Sequence, residues 1–134
     1  MNSKEIKKEY EDFINSISNR LESLKRLLNK ERLDYSNKEA DKVFDLYSFN
    51  LEDDEIKNIF YTYAGEIFIK NNGGEWSLGN HKKDKAFGTP IIINWGGENY
   101  PWVRISPYVW SLRMKNGNFE GKLSDVIQPR SKFC

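Results

Sequence analysis

A chain of 134 residues is long enough for one hydrophobic core of ordinary size and short for two, which predicts a single domain over 1–134, helical in 1–72 and sheet-forming in 73–134. Aromatic residues reach 14%, above what disordered chains carry, and 21 basic against 20 acidic residues lack the basic excess of a dedicated nucleic-acid binder. A single cysteine, Cys134, excludes an internal disulfide or a cysteine metal cluster within these residues.

Charge is divided unevenly: Met1 to Ile67 holds 11 basic and 15 acidic residues, and Phe68 to Cys134 holds 10 and 5. Such a dipole can orient an encounter with a charged partner, and it also fits a solvated helical half beside a basic sheet half. The first residues lack an apolar leader core, and no run approaches the roughly 18 apolar residues of a membrane span. The expected address is cytoplasmic, away from membranes.

From Glu5 to about Asn29, apolar residues at Ile6, Tyr10, Phe13, Ile14, Ile17, Leu21, Leu24, Leu27 and Leu28 step by three and four and predict one long helix. Part of that stripe also satisfies a short coiled-coil seam, so a helical homodimer stands beside packing within the domain. Ser36-Asn37-Lys38-Glu39 reads as a capping box opening a second helix, with Ala40, Val43, Phe44 and Tyr47 on its apolar face until Ser48-Phe49-Asn50 breaks the pattern. Asp53 is placed to cap a third helix whose apolar positions run Ile56, Ile59, Phe60, Tyr63, Ala64, Ile67 and Phe68, with Gly73-Gly74 to end it.

Beyond Gly74, short aromatic and β-branched runs between turn residues predict strands at Glu75 to Leu78, Pro90 to Trp95 and Trp102 to Ile105. Their connections are too short for helical crossovers, so they should pair antiparallel. Pro107, with Ser106 as N-cap, opens another helix that stops at Asn116-Gly117, and a last helical turn is expected over Leu123 to Ile127. The fold class is α+β: three N-terminal helices on a small, mainly antiparallel three-stranded sheet, with one or two short C-terminal helices.

Chemistry-bearing sets are sparse. His81 is the lone histidine and has no cysteine or second histidine to complete a metal site, so neither a metal nor a cofactor is expected. The pairs Gly73-Gly74 and Gly96-Gly97 lack the lysine and spacing of phosphate loops and read as turns. Glu66, Glu75, Asp84 and Glu98 are the carboxylates nearest the strands, and capping or solvation explains Glu66 and Glu75 more simply than proton transfer does. Trp76 and Trp110 read as core. Trp95 and Trp102 flank a turn of glycine and proline, which argues against deep burial, and read equally as core or as contact residues. The acidic run Glu52-Asp53-Asp54-Glu55 exceeds what capping one helix requires, and fits either a solvated helix start or a surface that meets a basic partner.

The segment Tyr63-Ala64-Gly65-Glu66 through Gly73-Gly74-Glu75-Trp76, followed by Gly88-Thr89-Pro90 and Ile105-Ser106-Pro107, resembles a pattern in small bacterial proteins of the polymorphic-toxin immunity type. The resemblance covers about half the chain, from Tyr63 to about Gly117, leaves out the long first helix, and brings no catalytic residues. It implies a fold more firmly than a function. With it, the expected function is an immunity-type binding protein, not an enzyme, that neutralises a cognate toxin by protein–protein contact through Glu52, Asp53, Asp54, Glu55, Trp95, Glu98, Tyr100 and Trp102. The alternatives are a small ligand-binding domain or carboxylate enzyme using the Trp95 to Trp102 region, and a regulatory or structural homodimer through the first helix. A monomer or weak homodimer is expected.

Overall fold

The computed structural model describes residues 3–80, 83, 86–95 and 104–128. Among them are six helices and a three-stranded antiparallel sheet, the mixed content expected of an α+β chain. Helix α4, Asp54–Asn72, is the centre on which the rest is arranged. Ile59 to Gly65 are buried without interruption, and Ile67 and Phe68 follow, because α2, α3, α5 and the middle strand all pack on it. A helix covered on most sides through its middle has little polar face to display there, which is why Thr62 and Tyr63 are as buried as Ile67.

The predicted first helix is two. Helix α1 spans Ser3–Asn15 and α2 spans Ile17–Leu28, with Ser16 between them at φ −105°, ψ 4°. The Ser16 N–H bonds the Phe13 carbonyl three residues back at 3.2 Å, tightening the turn, and the same carbonyl accepts the Arg20 guanidinium. Arg20 also lies 4.1 Å above the Phe13 ring and donates from Nε to Thr62 Oγ1 at 2.8 Å, so one side chain fixes the break against α4. The apolar spacing runs through Ser16 unchanged, so periodicity cannot register the kink.

Helix α2 stops at Asn29, which takes the left-handed conformation at φ 54° that asparagine tolerates at C-caps. Helix α3, Asn37–Ser48, begins as expected with Ser36 Oγ accepting the Glu39 N–H at 3.1 Å. The reciprocal half of the capping box is absent: the Ser36 N–H bonds Asp34 Oδ1 at 2.9 Å, and the Glu39 carboxylate turns inward. Only 2% exposed, that carboxylate accepts the backbone N–H groups of Asp34 (2.8 Å) and Tyr35 (2.9 Å) and the Tyr63 hydroxyl (2.8 Å), and it pairs with the Lys30 ammonium. The Tyr35 ring stacks on Tyr63 with centroids 5.4 Å apart, and Lys70 Nζ lies 4.6 Å from the Tyr35 centroid. Burial, reinforced by the hydrogen bond to Glu39, drives the Tyr63 phenol far above its ordinary range.

Helix α4 is capped by Asp53, whose Oδ1 accepts the Ile56 N–H at 3.1 Å. It ends at Gly73, where φ is +79°. Strands β1 (Glu75–Leu78), β2 (Pro90–Ile93) and β3 (Arg104–Ile105) follow in the order β1-β2-β3, with Trp76 opposite Ile92 and Ile92 opposite Ile105. Strand β2 stops short of the expected Trp95, because Asn94 turns to φ +61° and donates its side-chain amide to Glu75 Oε1 at 2.9 Å. Trp102 and Val103, the expected start of β3, lie outside the described residues.

Gly65 explains how sheet and helix meet. A Cβ added there would sit 2.2 Å from Cη2 of Trp76, so the indole of β1 lies directly on the α4 backbone. Helix α5, Pro107–Lys115, carries its expected cap, Val109 N–H to Ser106 Oγ at 3.1 Å, and packs on α4 and β2. Helix α6, Leu123–Val126, packs on α3, and the Asn71 amide donates to the Ile127 carbonyl at 2.7 Å, tying the end of α4 to the residues after α6.

Two substitutions test this frame. Gly65→Ala should lower stability by about 1–3 kcal/mol in urea denaturation, the range for overpacking a filled site, and Trp76→Leu added to it should recover part of the loss. Glu39→Gln should lower it by about 3 kcal/mol, because each carboxylate oxygen accepts one backbone N–H, so the new amide group must face a donor in either orientation.

Candidate functional site

Among the described residues no group of three or more histidine, cysteine, aspartate and glutamate side chains is placed to hold a metal ion, and no helix is long and apolar enough to cross a membrane. His81, Asp84 and Glu98 lie outside the described residues. Glu75 is exposed at the start of β1 and bound to Asn94. Glu66 is half-buried, and desolvation raises its carboxyl above the ordinary range, partly offset by the Trp76 indole and by Lys70. The Trp76 indole N–H is buried and makes no hydrogen bond of ordinary geometry.

The acidic run is fully displayed. Glu52, Asp53, Asp54 and Glu55 are all exposed at the N-terminus of α4, where the helix dipole favours negative charge. Capping occupies Asp53 alone. Glu52 and Asp54, with side chains 87% and 85% exposed, reach Lys115 and Lys57 only at 3.5 Å, distances of solvated ion pairs that contribute little to stability. The run nevertheless sets up a local negative field: the Tyr47 phenol beneath it is pushed up first by burial and then by Asp54 and Glu52.

Beside this run stands a residue that the sequence reading passed over. Phe49 is 84% exposed, far more than any other large apolar side chain among the described residues. It closes α3 as its C-cap, with its N–H bonded to the Asp45 carbonyl at 3.1 Å. The buried α3 positions Ala40, Val43 and Tyr47 lie on another side of that helix, which leaves Phe49 projecting from the α3–α4 turn. The available signal was the break at Ser48-Phe49-Asn50: a phenylalanine that falls off an apolar stripe has no core position waiting for it.

The other half of the expected contact surface fares differently. Trp95 is only 4% exposed, with its ring edge-on to Phe68 at 5.3 Å, so having glycines next in the sequence does not keep it from the core. Trp110, 6% exposed, meets the same Phe68 at 6.0 Å, as its reading as core requires. Glu98, Tyr100 and Trp102 lie outside the described residues. Asp54 and Phe68 are separated along α4 by about 21 Å of helical rise, so the acidic run and Trp95 belong to opposite ends of one helix and do not form one patch.

Comparison with protein-family models, curated proteins and solved structures gives no match to this chain.

The exposed aromatic and the cap separate by stability. Phe49→Ala should leave the unfolding free energy within about 0.5 kcal/mol of the parent, whereas Asp53→Ala should lower it by about 1 kcal/mol, both read from urea denaturation.

Proposed function

We propose that this protein is an immunity-type binder that neutralises a cognate bacterial toxin by covering it, and that it makes contact through the α3–α4 turn. The observation carrying the reading is the pairing of Phe49, 84% exposed, with four exposed carboxylates on the adjoining helix start. An exposed aromatic anchor beside like-signed charges is the arrangement from which electrostatically steered interfaces are built: charge governs the rate of encounter, and the buried ring governs the lifetime. The partner surface is accordingly basic, with an apolar recess for the ring, as at a nuclease cleft that binds phosphates.

The resemblance to immunity-type proteins supports the class but not the contact. Its Gly-Glu and Gly-Gly-x-Trp elements correspond to Gly65 beneath Trp76 and to the turn at Gly73 and Gly74, all parts of the packing between α4 and β1. They belong to the fold. The contact residues lie outside the resembling segment, where a partner-specific surface would be placed.

The test requires a cognate toxin, sought among the genes neighbouring this one by copurification with the protein, then purified and titrated by surface plasmon resonance and calorimetry. Phe49→Ala should raise Kd at least about thirtyfold, mainly through faster dissociation. Joint charge reversal of Glu52, Asp54 and Glu55 should slow association at low salt, with the difference fading as salt rises. Asp53 is kept, since changing it would confound contact with capping. Tight binding that both variants leave unaltered would remove this surface from the interface.

A further inference from the structure

The chain contains two Asn-Gly pairs, Asn72-Gly73 at the end of α4 and Asn116-Gly117 at the end of α5. In such a pair the backbone can attack its own side chain. The glycine nitrogen, giving up its proton to solvent, bonds to the asparagine Cγ; the Cγ–Nδ2 bond breaks, and ammonia leaves with a proton taken from water. The product is a succinimide ring, which glycine favours because no side chain obstructs its closing. Water then opens the ring at either carbonyl. Breaking the new N–Cγ bond leaves aspartate, and breaking the bond to the main-chain carbonyl leaves isoaspartate, with the chain rerouted through Cγ. The net change is a water consumed and an ammonia released.

The fold treats the two pairs differently. Asn72 is 5% exposed, and its side-chain amide donates to the Phe68 carbonyl at 3.4 Å and to the Gln128 carbonyl at 3.2 Å. The Gly73 N–H is held by the Ile69 carbonyl at 2.7 Å, so ring closure there requires the end of α4 to part from the residues after α6. Asn116, Gly117 and Asn118 are all exposed, and a Cβ built on Gly117 meets nothing within 4 Å. The Gly117 N–H bonds only to the preceding turn, at the Met114 carbonyl 3.1 Å away, so opening the last turn of α5 is enough to free it. Helix ends open at far lower cost in free energy than packed segments do. We infer that Asn116 is a site of spontaneous covalent modification, converting to aspartate and isoaspartate, while burial shields Asn72 from the same reaction. The new carboxylate stands at the C-terminus of α5, where the helix dipole disfavours it. Isoaspartate also lengthens the main chain just before Asn118, whose N–H bonds the Arg113 carbonyl at 2.7 Å, and so loosens the close of the helix. The inference is independent of the contact proposed at the α3–α4 turn, and either stands if the other fails.

Folded protein is kept in mildly alkaline buffer beside a sample unfolded in guanidinium chloride. Both are digested at intervals and mapped by mass spectrometry, with electron-transfer fragmentation to separate aspartate from isoaspartate. Unfolded, both asparagines should convert. Folded, Asn116 should convert within about tenfold of its unfolded rate, and Asn72 should be slowed at least about a hundredfold. Asn116→Gln, whose extra methylene disfavours ring closure, should fold like the parent by thermal unfolding and lose the main acidic species that the aged parent shows on anion exchange. Equal slowing of the two asparagines by folding, or the same acidic species forming at the parent's rate in Asn116→Gln, would overturn the inference.

Discussion

The carboxylate of Glu39 is the interaction on which the helical half depends. An ionised side chain removed from water is costly unless its lone pairs are filled, and here two backbone N–H groups, a phenol and an ammonium fill them. The donors come from two segments that the carboxylate ties together: the loop after α2 supplies Lys30, Asp34 and Tyr35, and the central helix supplies Tyr63. The result fixes how α2, the loop and α3 sit on α4, and it stacks Tyr35 over Tyr63 as a lid on the buried charge.

With that junction set, α4 serves as an axis with two unlike ends. Its N-terminal end is wet, acidic and capped by Asp53, and carries no buried side chain until Ile59. Its C-terminal end is enclosed, with Phe68 between two tryptophans and Asn71 bonded to the residues after α6. The side chains at the exposed end are held by weak, solvated interactions, and those at the enclosed end by packing. A surface that recognises another molecule and a core that holds the chain together therefore make few demands on each other.

Much of this was legible from residue type and spacing, and the failures have physical causes. Local rules located Ser36, Asp53 and Ser106 as caps and Gly73 as a stop, because each depends on neighbours within a few residues, and the short links between strands required antiparallel pairing. The kink at Ser16 escaped because it goes with a bond from Arg20 of α2 to Thr62 of α4, a contact across 42 residues. Glu39 stood in a capping-box pattern and was claimed by a tyrosine 24 positions away, so tertiary demand outweighed the local rule. Trp95 was judged by its flanking glycines, yet Phe68 decides its burial. In the candidate contact surface the charges were visible as a run, while Phe49 was not, since exposure is a property of what fails to cover a residue.

The break at Ser16 also divides the molecule by how firmly its parts are held. Helix α1 buries only Ile6 and Phe13 over its 13 residues, whereas α4 buries ten residues over 19, so the two differ widely in how much free energy opposes their opening. Arg20, bonded to Thr62 of α4, holds the start of α2 where α1 has little burial of its own. Since Phe13 packs edge-on against Trp76 at 5.3 Å, detachment of α1 would bare one face of that indole, so tryptophan emission would register it together with amide exchange over residues 3–15.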